Sequence, residues 1–208
     1  MKQEAFRRFG FSSKMTMRIA QQLYERGLIT YHRTDSFNLS THFVFSAKSY
    51  IEKIFGEAFA LPKPREYKTR SRMAQEAHEA IRPTNLDKNM SGSSEEKKFT
   101  SNHKKLYQLI FNRAVSTQMK EAEIKIVKIA IASSKGYSFE TQLQQVLFPG
   151  FLKLLNPEFV EKHQTANTCK ENERLTLKET TATESETLPP PRYNEASLIK
   201  SLEEKGIG

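Results

Sequence analysis

The sequence predicts an α+β chain: a helical unit over residues 1–121, a β-rich segment over 122–188, and the opening of another helical domain at 189–208. Three observations predict it. Apolar residues recur every three to four positions through most of the first part. At Glu121 the pattern changes to alternation, the period of a strand. After the polar linker Thr180 to Thr187, helical spacing returns at Ser197 to Glu204.

The elements follow in order. Ser12 or Ser13 caps a helix running to about Arg26, with Gly27 as its stop. Met15, Ile19, Leu23 and the Tyr24 ring form its apolar stripe. Leu28 to Ser36 reads as a short extended or turn segment. A helix follows from about Ser40 to Phe55, burying Phe43, Ala47, Tyr50, Ile51 and Ile54. Pro62 and Pro64 mark a loop. Met73 to Ile81 reads as helical, ended by Pro83. Asn85 to His103 is too polar to fold alone and reads as a flexible surface insertion. Lys104 to Lys120 is a helix with Leu106, Leu109, Ile110, Val115 and Met119 on its apolar side. Ile124, Ile126, Ile129 and Ile131 then predict a strand whose phase slips at Val127–Lys128, as a bulge allows. Ser133 to Gly136 is a hairpin turn and Tyr137 to Leu147 the partner strand. Arg174 to Thr180 continues the β pattern.

Charge divides the chain. Residues 1–120 hold 22 Lys and Arg against 11 Asp and Glu, a net +11; residues 121–208 hold 11 against 13, a net −2. The first part is the candidate polyanion-binding half. The single cysteine, Cys169, rules out an intrachain disulfide and a multi-cysteine metal site. It fits a reducing compartment. No apolar run approaches membrane-spanning length. The expectation is a cytoplasmic protein, a monomer, with no metal site of its own.

The most informative stretch is Leu28-Ile29-Thr30-Tyr31-His32-Arg33-Thr34-Asp35-Ser36. In an extended backbone, residues i and i+2 project to one face. The Tyr31 hydroxyl and the Arg33 guanidinium can then meet one phosphate between them. A phenol of pKa about 10 is a good enough leaving group for its phosphodiester to be reversed by a DNA hydroxyl. Arginine offers a permanent charge in a fork that matches phosphate oxygens. A lone tyrosine is more often a packing residue, so the stretch needs its context.

That context resembles the type IA DNA topoisomerases, in the bacterial topoisomerase I branch. Three stretches carry the resemblance, in the family's order: Met15 to Leu39, Gln75 to Thr84 (Gln-Glu-Ala-His-Glu-Ala-Ile-Arg-Pro-Thr), and Pro189 to Gly208, which opens Pro-Pro-Pro-Arg-Tyr. The resemblance implies an ATP-independent enzyme that cleaves one DNA strand, passes a strand, religates, and relaxes negatively supercoiled DNA. Tyr31 would attack the phosphodiester, release a 3′ hydroxyl and remain joined to the 5′ phosphate. Arg33 would hold the scissile phosphate and offset developing charge. His78 would join Tyr31 and Arg33 in the catalytic set and bind the backbone nearby, with Arg82 on the same helix face as a further DNA contact. Asp35 is counted with the DNA-binding residues, expected to orient Arg33, to act between domains, or only to cap a turn. Glu79 and Glu76 orient His78 or, more simply, pair with Arg82 and other cations. Arg192 belongs to the third stretch as a DNA contact. Arg7, Arg8, Lys14, Arg18, Lys68, Arg70 and Arg72 suit a track for single-stranded DNA. For Phe6 and Phe9, core packing is favoured over base stacking. His32 stands where the family often has an apolar residue, and no role is assigned to it.

The resemblance also implies that the β-rich segment belongs to the gate, that the chain is an internal fragment, and that Mg2+ is held by acidic ligands outside it. Two other readings stay open. One is a fragment of topoisomerase III or reverse gyrase, which share Tyr-x-Arg-Thr-Asp; Pro-Pro-Pro-Arg-Tyr favours topoisomerase I. The other is a non-catalytic basic module for single-stranded DNA, which needs cations but no nucleophile beside them. A protein-interaction scaffold would show no salt-dependent DNA binding.

Overall fold

A computed structural model of the chain describes residues 1–67, 79–87, 99–165 and 170–207, and the architecture is mixed α+β as the periodicity predicts. The helical part contains α1 (Lys2–Phe9), α2 (Ser13–Glu25), α3 (Thr41–Phe55) and α4 (Ser101–Ser116). Each boundary has a local cause. The Ser12 hydroxyl accepts from the Met15 amide and the Ser40 hydroxyl from the Phe43 amide, so both serines cap their helices. Gly27 follows α2 at φ 67°, a left-handed turn that a side chain resists. Helix α1, which the sequence pattern did not predict, ends the same way at Gly10.

The core lies where the apolar faces of these helices meet. Ile19, Ala20 and Leu23 of α2, Phe43, Ala47 and Ile51 of α3, and Leu106, Leu109, Ile110 and Val115 of α4 form one buried cluster with Met119. Ile54, predicted to be buried, is exposed. It sits at the end of α3, past the turn that packs. Phe9 packs against the core. His103, predicted to lie in a flexible insertion, is buried in the first turn of α4 and bonds Gln22 at 2.7 Å. Leu86 is buried too, so both ends of that insertion belong to the fold; residues 88–98 lie outside the described residues.

Strands β1 (Glu123–Ala132) and β2 (Ser138–Phe148) pair antiparallel through the Ser133 to Gly136 turn, where the Ser133 amide donates to Tyr137 O. The expected bulge at Val127–Lys128 is absent: Val127 faces Leu143 and Lys128 faces Gln142 in unbroken register. The irregularity lies at Glu123/Ile124. With no slip, strict alternation sends Val127, Ile129 and Ile131 to one, half-buried face and Ile124 and Ile126 to the other. Arg174 to Thr180 forms no strand and is exposed. The described sheet has two strands only, and the alternating stretch joins neither of its edges.

The ribbon is rooted on the helical part. Lys120 N donates to Phe59 O and Phe151 N to Lys120 O, both at 2.9 Å, and the Phe59 and Phe148 rings meet at 4.9 Å. Two short helices, α5 (Leu152–Leu155) and α6 (Pro157–Lys162), buttress it, with Val146 N donating to His163 O. An extended stretch then leads to α7 (Glu195–Glu204), capped by Asn194. Helix α7 returns to the N-terminal helices, where Glu195 accepts from the Ser13 amide and Glu203 from Gln3.

Candidate active site

The segment after α2 is short, irregular and stitched to the second motif by backbone bonds. Gly27 turns the chain, and Leu28 N closes onto Leu23 O. Ile29 then pairs with Pro83 as an isolated antiparallel bridge. Thr30 N donates to Arg82 O at 2.9 Å, and Thr84 N to Leu28 O at 3.0 Å. The Thr30 hydroxyl donates to Ala80 O at 2.7 Å and accepts from Arg82 N at 2.9 Å. The Thr84 hydroxyl donates to Gly27 O. Two stretches some fifty residues apart in sequence are thus locked together immediately before Tyr31.

This pairing corrects one expectation. Glu79 to Arg82 is not helical; its backbone groups are committed to Thr30 and Asn38, as in a strand edge. The shared helix face assumed for His78 and Arg82 therefore fails at Arg82. Residues 73–78 of the predicted helix, with His78 and Glu76, lie outside the described residues.

From Tyr31 to Phe37 exposure follows a period of two: Tyr31, Arg33, Asp35 and Phe37 are exposed, and His32 and Ser36 are buried. The outward set matches the same-face reading of Tyr31 and Arg33. Tyr31 is 40% exposed, its ring set edge-on against Tyr24 at 5.3 Å and His32 at 5.6 Å. Among the described residues Arg33 and Asp35 have neither hydrogen bond nor ion pair, so Asp35 does not orient Arg33 here. The turn that follows is built by Thr34 and Ser36, whose hydroxyls accept from the Ser36 and Asn38 amides.

Arg82 sits differently. Its guanidinium donates to both Glu79 oxygens at 3.1 and 2.7 Å, to the Ser40 hydroxyl and to Pro83 O, and lies 5.0 Å over the Phe43 ring. Of the readings for Glu79, the structure shows the simple ion pair with Arg82. Glu79 also accepts from the Ser40 amide at 2.6 Å. Burial pushes its carboxyl up, but Arg82 and Ser40 together outweigh burial and hold it below its ordinary value. The cluster ties α3's cap to the second motif.

The remaining cations are scattered. Arg7 and Arg8 share Glu4, Lys14 and Arg18 are exposed on α2, and Arg192 is exposed ahead of α7. Lys68, Arg70, Arg72 and Cys169 lie outside the described residues. Among the described residues no group of three or more His, Cys, Asp and Glu side chains can hold a metal ion.

Three groups escaped the sequence reading. Thr30 is the hub of the stitched motifs, and Tyr24 borders the Tyr31 ring although it reads only as part of an apolar stripe. His32, 3% exposed, lies against Tyr31, and burial followed by the Arg33 charge lowers its pKa. The i/i+2 alternation of the segment was the one signal that marked His32 as inward.

Comparison with known proteins gives a consistent answer. The DNA topoisomerase family profile matches residues 1–208. DNA topoisomerase 1 of Rickettsia bellii is 41% identical over 221 residues, covering 100% of this chain and 27% of that protein. DNA topoisomerase 1 of Streptomyces coelicolor is 40% identical over 219 residues, 100% of this chain and 23% of that protein. Full-length topoisomerase I from Thermotoga maritima superposes with a TM-score of 0.71 at 32% identity, covering 100% of this chain and 34% of that one. The chain thus spans between about a quarter and a third of the length of these relatives.

Proposed function

Since this chain belongs to the type IA DNA topoisomerase family, we propose that it supplies the nucleophile segment of an enzyme that cuts and reseals one strand of negatively supercoiled DNA. The observation that carries the reading is the outward pair Tyr31 and Arg33, on a segment pinned to the second motif by Thr30 and Thr84.

The chemistry follows from these residues. The Tyr31 oxygen gives up its proton and attacks the phosphorus, the bond from phosphorus to the 3′ oxygen breaks, and that oxygen leaves as a 3′ hydroxyl carrying the equivalent of the phenol's proton, exchanged through solvent. The 5′ phosphate stays on Tyr31. The phosphodiester is exchanged, not hydrolysed, so the 3′ hydroxyl can reverse the step without ATP. Arg33 neutralises charge on the phosphate as it builds up. His78 and Arg192 are DNA contacts in this reading, and Asp35 lies on the exposed side beside Arg33. Arg82 acts through the fold, with most of its donors held by protein groups. Mg2+, on ligands outside this chain, would supply charge neutralisation in the full-length protein. The enzyme works as a monomer in the bacterial cytoplasm, and no described helix is long and apolar enough to cross a membrane.

The test uses the full-length gene product with Mg2+, labelled single-stranded DNA and a detergent quench. Wild type is expected to yield a covalent protein–DNA adduct and Tyr31→Phe none. An adduct in the phenylalanine variant would move the nucleophile elsewhere. Binding by both proteins with no adduct in either would favour the non-catalytic DNA-binding module.

A further inference from the structure

His32 is the one described side chain whose buried polar atoms have no partner: both ring nitrogens are enclosed, and neither has a hydrogen bond among the described residues. Such a group is costly, and a phenylalanine or leucine would fill the same volume without the penalty. The imidazole is also not an incidental neighbour. Its ring packs against Tyr31 at 5.6 Å and Tyr24 at 6.0 Å, and those two rings meet at 5.3 Å, so the three close a triangle. Burial and the adjoining Arg33 charge both disfavour the imidazolium, with Glu25 of α2 as the opposing charge. The neutral ring keeps one N–H donor and one acceptor, both unused.

We propose that Tyr24 and His32 form the seat that orients the Tyr31 ring, and that His32 is a positioning residue whose nitrogens gain their hydrogen bond as the Tyr31 oxygen closes on the phosphate, after DNA has bound. This rests on Tyr31 as nucleophile. A group that acts by aiming the tyrosine governs the rate of adduct formation and leaves DNA affinity alone. Misplacing a reacting atom by about 1 Å costs about a hundredfold in rate, which sets the scale.

The experiment is single-turnover adduct formation by the full-length protein with Mg2+ and labelled single-stranded DNA, alongside DNA affinity and melting temperature. His32→Phe keeps a ring and removes the nitrogens. It is expected to melt at or above the wild-type temperature and bind DNA within about twofold, while forming adduct at least about tenfold more slowly. Tyr24→Leu, on the exposed side of the seat, is expected to slow adduct formation several-fold with the same affinity. Wild-type rates in His32→Phe would overturn the role of the nitrogens, and wild-type rates in Tyr24→Leu would overturn the seat. A parallel loss of melting temperature and activity in His32→Phe would make His32 merely structural and also overturn the proposal. Adduct formed by Tyr31→Phe would instead defeat the nucleophile assignment, so the two failures are distinguishable.

Discussion

Arg82 shows how a cation in a motif read for DNA contact is drawn into the fold. Its side chain is 12% exposed, and its planar fork meets two carboxylate oxygens, a hydroxyl and a carbonyl at once. Lysine has the charge but not the fork. Removing the guanidinium strands Glu79, which is 30% exposed and so recovers part of its solvation. Arg82→Ala is therefore expected to cost about 2–3 kcal/mol, below the 3–5 of a fully buried pair, and Arg82→Lys about half as much. Thermal unfolding of both variants measures this; an alanine variant as stable as wild type would refute the clamp. The sequence placed Arg82 beside Glu79 but not off the helix. Pro83 signalled only that a helix could not continue. What decides the backbone is Thr30, 52 residues away, taking the Arg82 amide. Tyr31, Arg33 and their outward side were legible from a period of two within seven residues. The Arg82 clamp was not, because its partners Ser40 and Phe43 lie 42 and about forty residues away, at the cap and in the first turn of α3.

Elements were legible where one segment's own side chains decide them. The cap at Ser12, the start of α3 at Ser40, the stop at Gly27 and the Ser133 to Gly136 turn are local events. Strand phase is not local: a slip in the apolar pattern at Val127–Lys128 reads as a bulge, yet the paired register is continuous and the apolar side simply changes face. The exit of β2 depends on a long-range contact of the same kind. Gly150 holds φ 46°, and a Cβ there would overlap the Glu121 carbonyl, which belongs to the entry of β1. The overlap is with backbone on both sides, so neither strand end can yield by a rotamer change. Gly150→Ala is expected to destabilise the chain by about 2 kcal/mol or more, from the left-handed backbone and the overlap together. Gly136→Ala is the control: it has φ 83° but open space around it, so only the conformational cost applies. Equal melting temperatures for the two variants would remove the steric term and with it the argument that Gly150 closes the ribbon's base.

At the scale of the whole molecule, the ionisable groups with displaced pKa values set a direction for acid sensitivity. His103 is held neutral first by burial and then by Arg26 and Arg18, while it bridges Thr100 and Gln22. His32 is displaced the same way, burial first. Both take up protons more readily when unfolded, so their contribution is present above about pH 6.5 and is lost as pH falls. Glu79 and Glu4 are lowered as well, against burial, by their arginine partners, and lose their contribution further down, below the ordinary carboxylate value of 4.5. Tyr50 and Tyr107 are raised, chiefly by burial, so the stability they add is intact below pH 10 and fades above it. The Met1 amine is lowered from 8.0, chiefly by burial, and its contribution fades as pH falls below about 8, so the signs combine into a plateau from about pH 8 to 9, a first acid step shared by the amine and the histidines, and a second at the carboxylates. Each kcal/mol lost moves the melting midpoint by about 2–4 °C in a chain of this size. His103→Gln, which keeps a polar partner for Gln22 without a titrating ring, is expected to lower the plateau and flatten the first step. A melting midpoint unchanged from pH 7.5 to 5.5 in the wild type would contradict the burial of both histidines, and with it the packing of His32 under Tyr31.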